Sequence, residues 1–205
     1  MNTLSNQPLT PGSVIAYSDL PAAKWRNGGG TTRQILSGKL SMAGAPETVT
    51  GDDWDWRLSI ADVDTAGDFS AFTGMTRILT VIEGELLAMK IDGQEKQLER
   101  FRPLRFDGGS ATSATLPTGP IRDLNLIART GTVTGHVAIV ELSKKHPQHL
   151  FGGQFGVLLQ GKATLNTADG TQAELGRLDT VVGGEQETPT ISGRGFLAVV
   201  SLDPA

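Results

Sequence analysis

Two stretches of this 205-residue chain repeat each other in one register. Ile82-Glu83-Gly84 closes an apolar run, and Asp92-Gly93 follows as a turn. Leu159-Gln160-Gly161 closes a second run, and Asp169-Gly170 follows. The offset is 77 residues for the first glycine (84 to 161) and again for the turn (93 to 170). At that offset Leu98 matches Leu175, Arg100 matches Arg177, Phe101 matches Leu178 and Leu104 matches Val181. Asp-Gly between extended runs is a hairpin signal, because a type I′ turn takes φ > 0 at both central residues. Two gap-free copies of strand, glycine, strand, Asp-Gly, strand point to two related β-modules. Hairpins in this order close into a jelly roll. The repeated unit looks like half of a cupin barrel, and the expected fold is all-β, with two cupin-like β-barrel (jelly-roll) modules in one chain. The polar stretch from Ser143 to His149, with Pro147 inside it, reads as a linker. Module boundaries are therefore expected at 1–142, the module with the site, and 143–205, a structural module.

Composition narrows the function. There are 26 glycines, and helix-period patterns are scarce. The net charge is -4 with the two signs interspersed, which argues against nucleic acid as a partner. With no cysteine there is no disulfide, thiolate metal site or Cys nucleophile. No apolar stretch approaches the roughly 18 residues of a membrane helix. Met1 to Thr10 lacks a charged n-region followed by an apolar run, so no leader is expected. These features suit a cytoplasmic protein.

Trp25-Arg26-Asn27-Gly28-Gly29-Gly30-Thr31-Thr32-Arg33 contains three consecutive glycines. It has no Lys-Ser/Thr of a P-loop and no G-x-G-x-x-G spacing. Two readings stand: a tight buried turn, or a turn that also brings Asn27, Thr32 and Arg33 to a ligand. The stretch Lys39 to Gly51, rich in small and polar residues, reads as a mobile loop able to act as a lid.

Side chains two apart share one face of a strand. The Trp54, Trp56, Leu58, Ile60 face is apolar, and Arg57 and Ser59 lie opposite. Arg77 shares a face with Leu79 and Val81, and Asp123 and Asn125 share one with Ile127. A charge on an apolar face is costly unless paired. One account is a polar cavity in which Arg57 and Arg77 grip a carboxylate in fork geometry. Others are a solvent-facing sheet with an Arg57–Asp123 salt bridge, or a purely structural buried network. At the repeat offset Arg77 becomes Gln154, Asp123 becomes Val200 and Asn125 becomes Leu202, so the second module lacks the set.

Metal and nucleophile signals are missing. The three histidines, His136, His146 and His149, form no His-x-His pair on a strand, so no metal and no cofactor are expected. Asp62, Asp64 and Asp68 lack calcium-loop spacing. No Gly-x-Ser-x-Gly elbow is present. No residue is assigned a catalytic role. An enzyme alternative would use Asp123 or Glu83 as a base with a raised pKa, whereas nearby arginines should lower it. A third reading is a dimeric scaffold, a homodimer with Trp54 and Trp56 on its surface.

Five motifs then resemble the HutD/Ves family. They are Trp25-x-Asn27-Gly28-Gly29-Gly30-x-Thr32-Arg33, Trp56-Arg57-Leu58-Ser59-Ile60-Ala61-Asp62-Val63, Gly67-x-Phe69-Ser70-x-Phe72-x-Gly74-x-x-Arg77, Phe106-x-Gly108 and Asp123-Leu124-Asn125-Leu126-x-x-Arg129. They span most of Trp25 to Arg129; Thr73 stands where the family usually has Pro. The resemblance implies a metal-free bicupin. It also implies a link to histidine utilisation, through binding of an intermediate that tunes the pathway. On that reading the ligand is a small carboxylate such as formylglutamate or urocanate. Arg57 and Arg77 would hold it, Asn27, Ser59, Asp123 and Asn125 would orient it, and Arg33 would help close the mouth. The implied partner is an enzyme or regulator of histidine utilisation.

Overall fold

The computed structural model describes residues 7–205; the first six residues of the stretch read as lacking a leader lie outside them. Among the described residues every regular element is a β-strand, apart from one 3-10 turn at Tyr17–Asp19. No helix of the described residues is long and apolar enough to cross a membrane.

The chain forms two compact units. The first comprises Pro21–Ser37, Asp55–Thr134 and Ala205. The second comprises residues 7–20, Gly38–Trp54 and Gly135–Pro204. The division therefore does not fall at 142/143. The N-terminal strand Val14–Ile15 pairs with Thr180–Val182, with Val14 opposite Val181 and Ile15 opposite Thr180. A two-residue edge strand has too few positions to show a period, so its partner could not be read from sequence. The stretch expected as a loop, Lys39 to Gly51, begins as a hairpin instead. Gly38, Lys39 and Leu40 pair with Thr48, Glu47 and Pro46, and the hairpin belongs to the second unit.

In the first unit one antiparallel sheet runs in the order Gly30–Leu40 (its first part), Trp56–Val63, Ile121–Arg129, Met75–Glu83, Leu104–Asp107. Ala22–Lys24 pairs with Gly30–Leu40. The other sheet runs Gln94–Glu99, Leu86–Ile91, Thr112–Thr115, Gly67–Asp68. Val63, Leu79, Val81, Leu87, Met89 and Leu98 form the core, with Trp25, Phe69 and Phe106 packed at its margin. Each fully buried Val, Leu or Met contributes about 1.5–3 kcal/mol over an exposed one. Both sheets are open paths, so the module is a jelly-roll sandwich rather than a closed barrel. Trp54 and Trp56 are both buried, which removes them as a dimer surface.

In the second unit the order is Val133–Leu142 (from Gly135 on), Thr190–Pro204, Gln154–Asn166, Thr180–Val182, Val14–Ile15. Its core holds Leu142, Leu150, Leu158, Leu165, Leu197 and Val199.

The duplication is visible in the backbone. Gly84 and Gly161 both take positive φ, and so do the non-glycine residues Phe101 (65°) and Leu178 (69°). The Phe101 amide donates to the Val81 carbonyl at 2.9 Å, and the Leu178 amide to the Leu158 carbonyl at 2.7 Å. Arg100 Nε donates to the Ile82 carbonyl at 3.2 Å; Arg177 Nε donates to the Leu159 carbonyl at 3.2 Å. The turns differ. Asp92 and Gly93 both have positive φ, as type I′ requires. Only Gly170 does so in the second copy, where the Gly170 amide bonds the Thr167 carbonyl in a three-residue loop.

The final strand of each copy is offset by 74, not 77. Asp123 pairs with Val81, and Leu197 pairs with Leu158; Asn125 pairs with Leu79, and Val199 with Gly156. Leu197 and Val199, rather than Val200 and Leu202, are thus the counterparts of Asp123 and Asn125. Three fewer residues between the copies' strands shift the register. The conclusion that the polar set is confined to one module stands.

Candidate functional site

Three neighbouring strands of the first unit set out the site as a grid. Arg57 lies opposite Ile127, which lies opposite Arg77; Ser59 opposite Asn125, opposite Leu79; Ala61 opposite Asp123, opposite Val81. Cross-strand neighbours share a face. One face therefore carries a row with two arginines, then a row with Ser59 and Asn125, then Asp123 among Ala61 and Val81. Alternation sends Trp56, Leu58 and Ile60 to the opposite face, where all three are buried.

This face is one wall of a cavity of about 730 Å³. The hairpin Ala22–Lys24 and Gly30–Leu40 supplies Lys24, Thr32 and Gln34, its turn supplies Trp25, Arg26 and Asn27, and the following loop supplies Asp68, Phe69, Ser70 and Phe72. The glycine segment is the tight turn of that hairpin. The Gly28 amide donates to the Trp25 carbonyl and the Trp25 amide to the Gly30 carbonyl, both at 3.0 Å. Gly28 has φ of 73°, and a Cβ on Gly30 would run into the Asp62 carbonyl oxygen. Asn27 Oδ1 accepts the Gly29 amide at 3.0 Å, so Asn27 builds the turn as well as lining the cavity. Trp25 Nε1 donates to Thr32 Oγ1 at 2.8 Å.

Six of the seven residues read from sequence converge here: Asn27, Arg57, Ser59, Arg77, Asp123 and Asn125. Arg33 does not. Thr32 and Gln34 face the cavity, so alternation turns Arg33 away, and its Nη1 lies 3.7 Å from Asp62 Oδ2. On that side Arg122 binds Asp62 at 2.5 Å and Glu83 at 2.6 Å. Glu83, the other base considered, is therefore an ion-pair partner outside the cavity.

Burial dominates the electrostatics. Arg77 is 3% exposed and Asp123 1%. The Arg77 guanidinium carbon lies 5.5, 5.4 and 5.2 Å from the ring centroids of Phe69, Phe72 and Phe106, and that of Arg57 lies 5.0 Å from Phe72. These rings stand in for part of the lost water. Arg77 Nη1 donates to the Ser70 carbonyl at 3.3 Å, while its Nε has no partner. Desolvation lowers the Arg77 pKa to about 10; Asp123 partly restores it, and Arg57 lowers it further. Neither oxygen of Asp123 is hydrogen-bonded, nor is Asn125 Oδ1. The surface salt bridge to Arg57 and the closed buried network are thus not formed. Burial pushes the Asp123 pKa up to about 7, against the opposing pull of Arg77. The expectation that the arginines would hold it low is overturned, because desolvation outweighs attraction.

The aromatic cage was missed as a site element. Phe69 and Phe72 stood in a quoted motif, and the available signal was their closeness in sequence to Arg77. A divalent cation does not fit the donor set: the lining offers two carboxylates, Asp68 and Asp123, beside two guanidinium groups on the sheet wall and no imidazole. The lining holds Lys24, Arg26, Arg57 and Arg77 against Asp68 and Asp123, which favours an anion.

Comparison with known proteins decides the family. The HutD family profile matches residues 17–199. The chain belongs to the HutD family. An uncharacterised 21.2 kDa protein in the hutC 3′ region of Pseudomonas putida is 42% identical over 115 residues, 56% of each chain. Protein Ves of Citrobacter koseri is 34% identical over 124 residues, 60% of each. The matched stretch thus spans 56–60% of the length of these curated relatives. HutD from Pseudomonas fluorescens SBW25, solved in a formate condition, superposes with a TM-score of 0.73 at 28% identity, covering 94% of this chain and 98% of that one. A cupin 2 conserved barrel domain protein from Leptotrichia buccalis, at 9% identity and a TM-score of 0.59, covers 97% of this chain and 99% of its own and places the fold among the cupins.

Proposed function

We propose that the cavity of the first unit is a metal-free binding site for a small carboxylate, and that its occupancy tunes histidine utilisation in the cytoplasm. The observation that carries this reading is the row Arg57, Ile127, Arg77, which sets two guanidinium side chains, that of Arg77 buried, on one wall of the cavity. Guanidinium forks match carboxylates, and low dielectric strengthens the pairing. Asn27, Ser59 and Asn125 supply polar groups that orient the ligand. Arg33, facing Asp62, has no part in holding it. The family and the hutC-region relative support formylglutamate or urocanate as candidates, with an enzyme or regulator of that pathway as the partner that senses occupancy.

The test is thermal unfolding in EDTA buffer with and without formylglutamate and urocanate. A ligand at about 100 times its Kd stabilises by about 2.7 kcal/mol, a shift of several degrees. The expected result is a shift in the wild type that is lost in Arg77→Ala. No shift with either compound overturns the reading.

A second reading is favoured by one observation, the buried Asp123 carboxyl at about 7. A group near neutrality suits a general base in metal-independent turnover of the same intermediates. Product formation that is lost in Asp123→Asn and kept in Asn125→Ala supports it; unchanged ligand after prolonged incubation removes it.

A further inference from the structure

The cavity wall is chemically divided. Donors crowd one end, where Arg57 and Arg77 flank Ile127. Acceptors without donors crowd the other: Asp123 Oδ1, Asp123 Oδ2 and Asn125 Oδ1 are all buried and unpartnered. Buried polar atoms normally have partners, and leaving one without a partner is costly. The strand neighbours of Asp123 are Ala61 and Val81, whose side chains donate nothing. The nearest cation, Arg77, spends Nη1 on the Ser70 carbonyl. A carboxylate ligand alone meets only the arginine end, and its oxygens repel Asp123.

Charge fixes the second end of the ligand. At pH 8, above its folded value of about 7, Asp123 is mostly ionised, so on this wall it and the two arginines together carry one net positive charge, which one carboxylate neutralises. The group that meets Asp123 must then be a neutral donor. Spacing fixes its distance. Asn125 lies one row, and Asp123 two rows, from the arginines, or about 7 and 13 Å along the strands at the backbone. The length of the arginine side chains shortens both.

We propose that the cavity selects a carboxylate that also bears a neutral N–H donor, the carboxylate meeting Arg57 and Arg77 and the N–H meeting Asn125 and Asp123. This inference rests on the carboxylate reading above and adds the recognition element that discriminates among carboxylates. Asp123 and Asn125 are its specificity residues. An amide or a neutral imidazole a few bonds from the carboxylate has the required chemistry; a plain dicarboxylate or an ether does not.

The experiment compares matched pairs by titration calorimetry at pH 8. One pair is imidazole-acrylate (urocanate) and oxazole-5-acrylate. The other is N-formylglutamate and 2-formyloxyglutarate, its ester analogue. Within each pair the N–H is replaced by oxygen and the shape is kept. The wild type is expected to bind the N–H member of at least one pair at least tenfold tighter. Asp123→Leu reduces that preference to below threefold, and the oxygen member, freed of repulsion by Asp123, binds no more weakly than it does to the wild type. Asp123→Asn, which keeps the shape and one acceptor, falls between and covers failure of the leucine variant to fold. Equal or inverted affinities within both pairs overturn this inference and leave the carboxylate reading standing. Absence of binding by all four compounds to folded protein overturns both.

Discussion

Asp123 should hold down the stability of its own unit at neutral pH. Its carboxyl goes from an ordinary 3.8 to about 7 on folding, with burial as the main cause. An acid with a raised folded pKa is held protonated in the folded state while the unfolded chain ionises. Its favourable contribution is complete below the unfolded value and is lost as pH climbs to the folded value. At about 1.4 kcal/mol per pH unit, the full loss is roughly 4 kcal/mol above neutrality. Between pH 5 and pH 8 the linkage relation leaves about 2.5 kcal/mol. Asp123→Asn keeps the shape and does not titrate. Other groups titrate alike in both proteins, and Arg77, at about 10, stays charged across this range. The stability difference between variant and wild type should therefore move in favour of Asn by about 2.5 kcal/mol from pH 5 to pH 8. Urea unfolding followed by tryptophan fluorescence measures it, since Trp25 and Trp56 lie in this unit. A difference that stays flat with pH, or moves toward the wild type, refutes the burial argument.

Other outcomes follow from the same geometry. Arg77→Met should weaken binding of the carboxylate ligand at least 100-fold, about 3 kcal/mol for a charge-assisted pair, and Arg77→Lys should restore only part because it lacks the fork; affinity within threefold of wild type for Arg77→Met counts against the site. Gly30→Ala should lose far more stability than Gly28→Ala, because a Cβ meets the Asp62 carbonyl oxygen at 30 and open space at 28, where only left-handed strain of about 1–2 kcal/mol applies; equal melting temperatures refute this. In the second unit Gly161→Ala should likewise cost more than Gly170→Ala, since only the former abuts the Arg194 carbonyl; melts of the two variants decide it.

The parts of the fold legible in sequence were those with a local period. The 77-residue repeat, the Asp92-Gly93 turn and the alternation around Arg57 and Arg77 all appear in the structure. What escaped depended on distance or register. Val14–Ile15 is too short to show which strand it joins. Arg33 was attached to the site because it ends a glycine motif, yet alternation on its strand sends it to Asp62. Sequence shows the charged neighbours of Asp123 but not its burial, and so points its pKa in the wrong direction. The counterparts of Asp123 were misplaced by three residues, because an ungapped offset cannot see a shorter connection.

The duplicated architecture also gives the chain an internal control. Both copies keep a bulge in the first strand, where Ile82 in one and Leu159 in the other is the extra residue against the paired last strand. Both keep the left-handed residue at Phe101 and Leu178. Traits held in common serve folding, since one copy keeps them with Leu197 and Val199 packed in its core. Arg77, Asp123 and Asn125 occur in one copy only, with Gln154, Leu197 and Val199 at the matching places. Swapping those three residues into the silent copy, or out of the other, separates what the fold needs from what the ligand needs within a single polypeptide.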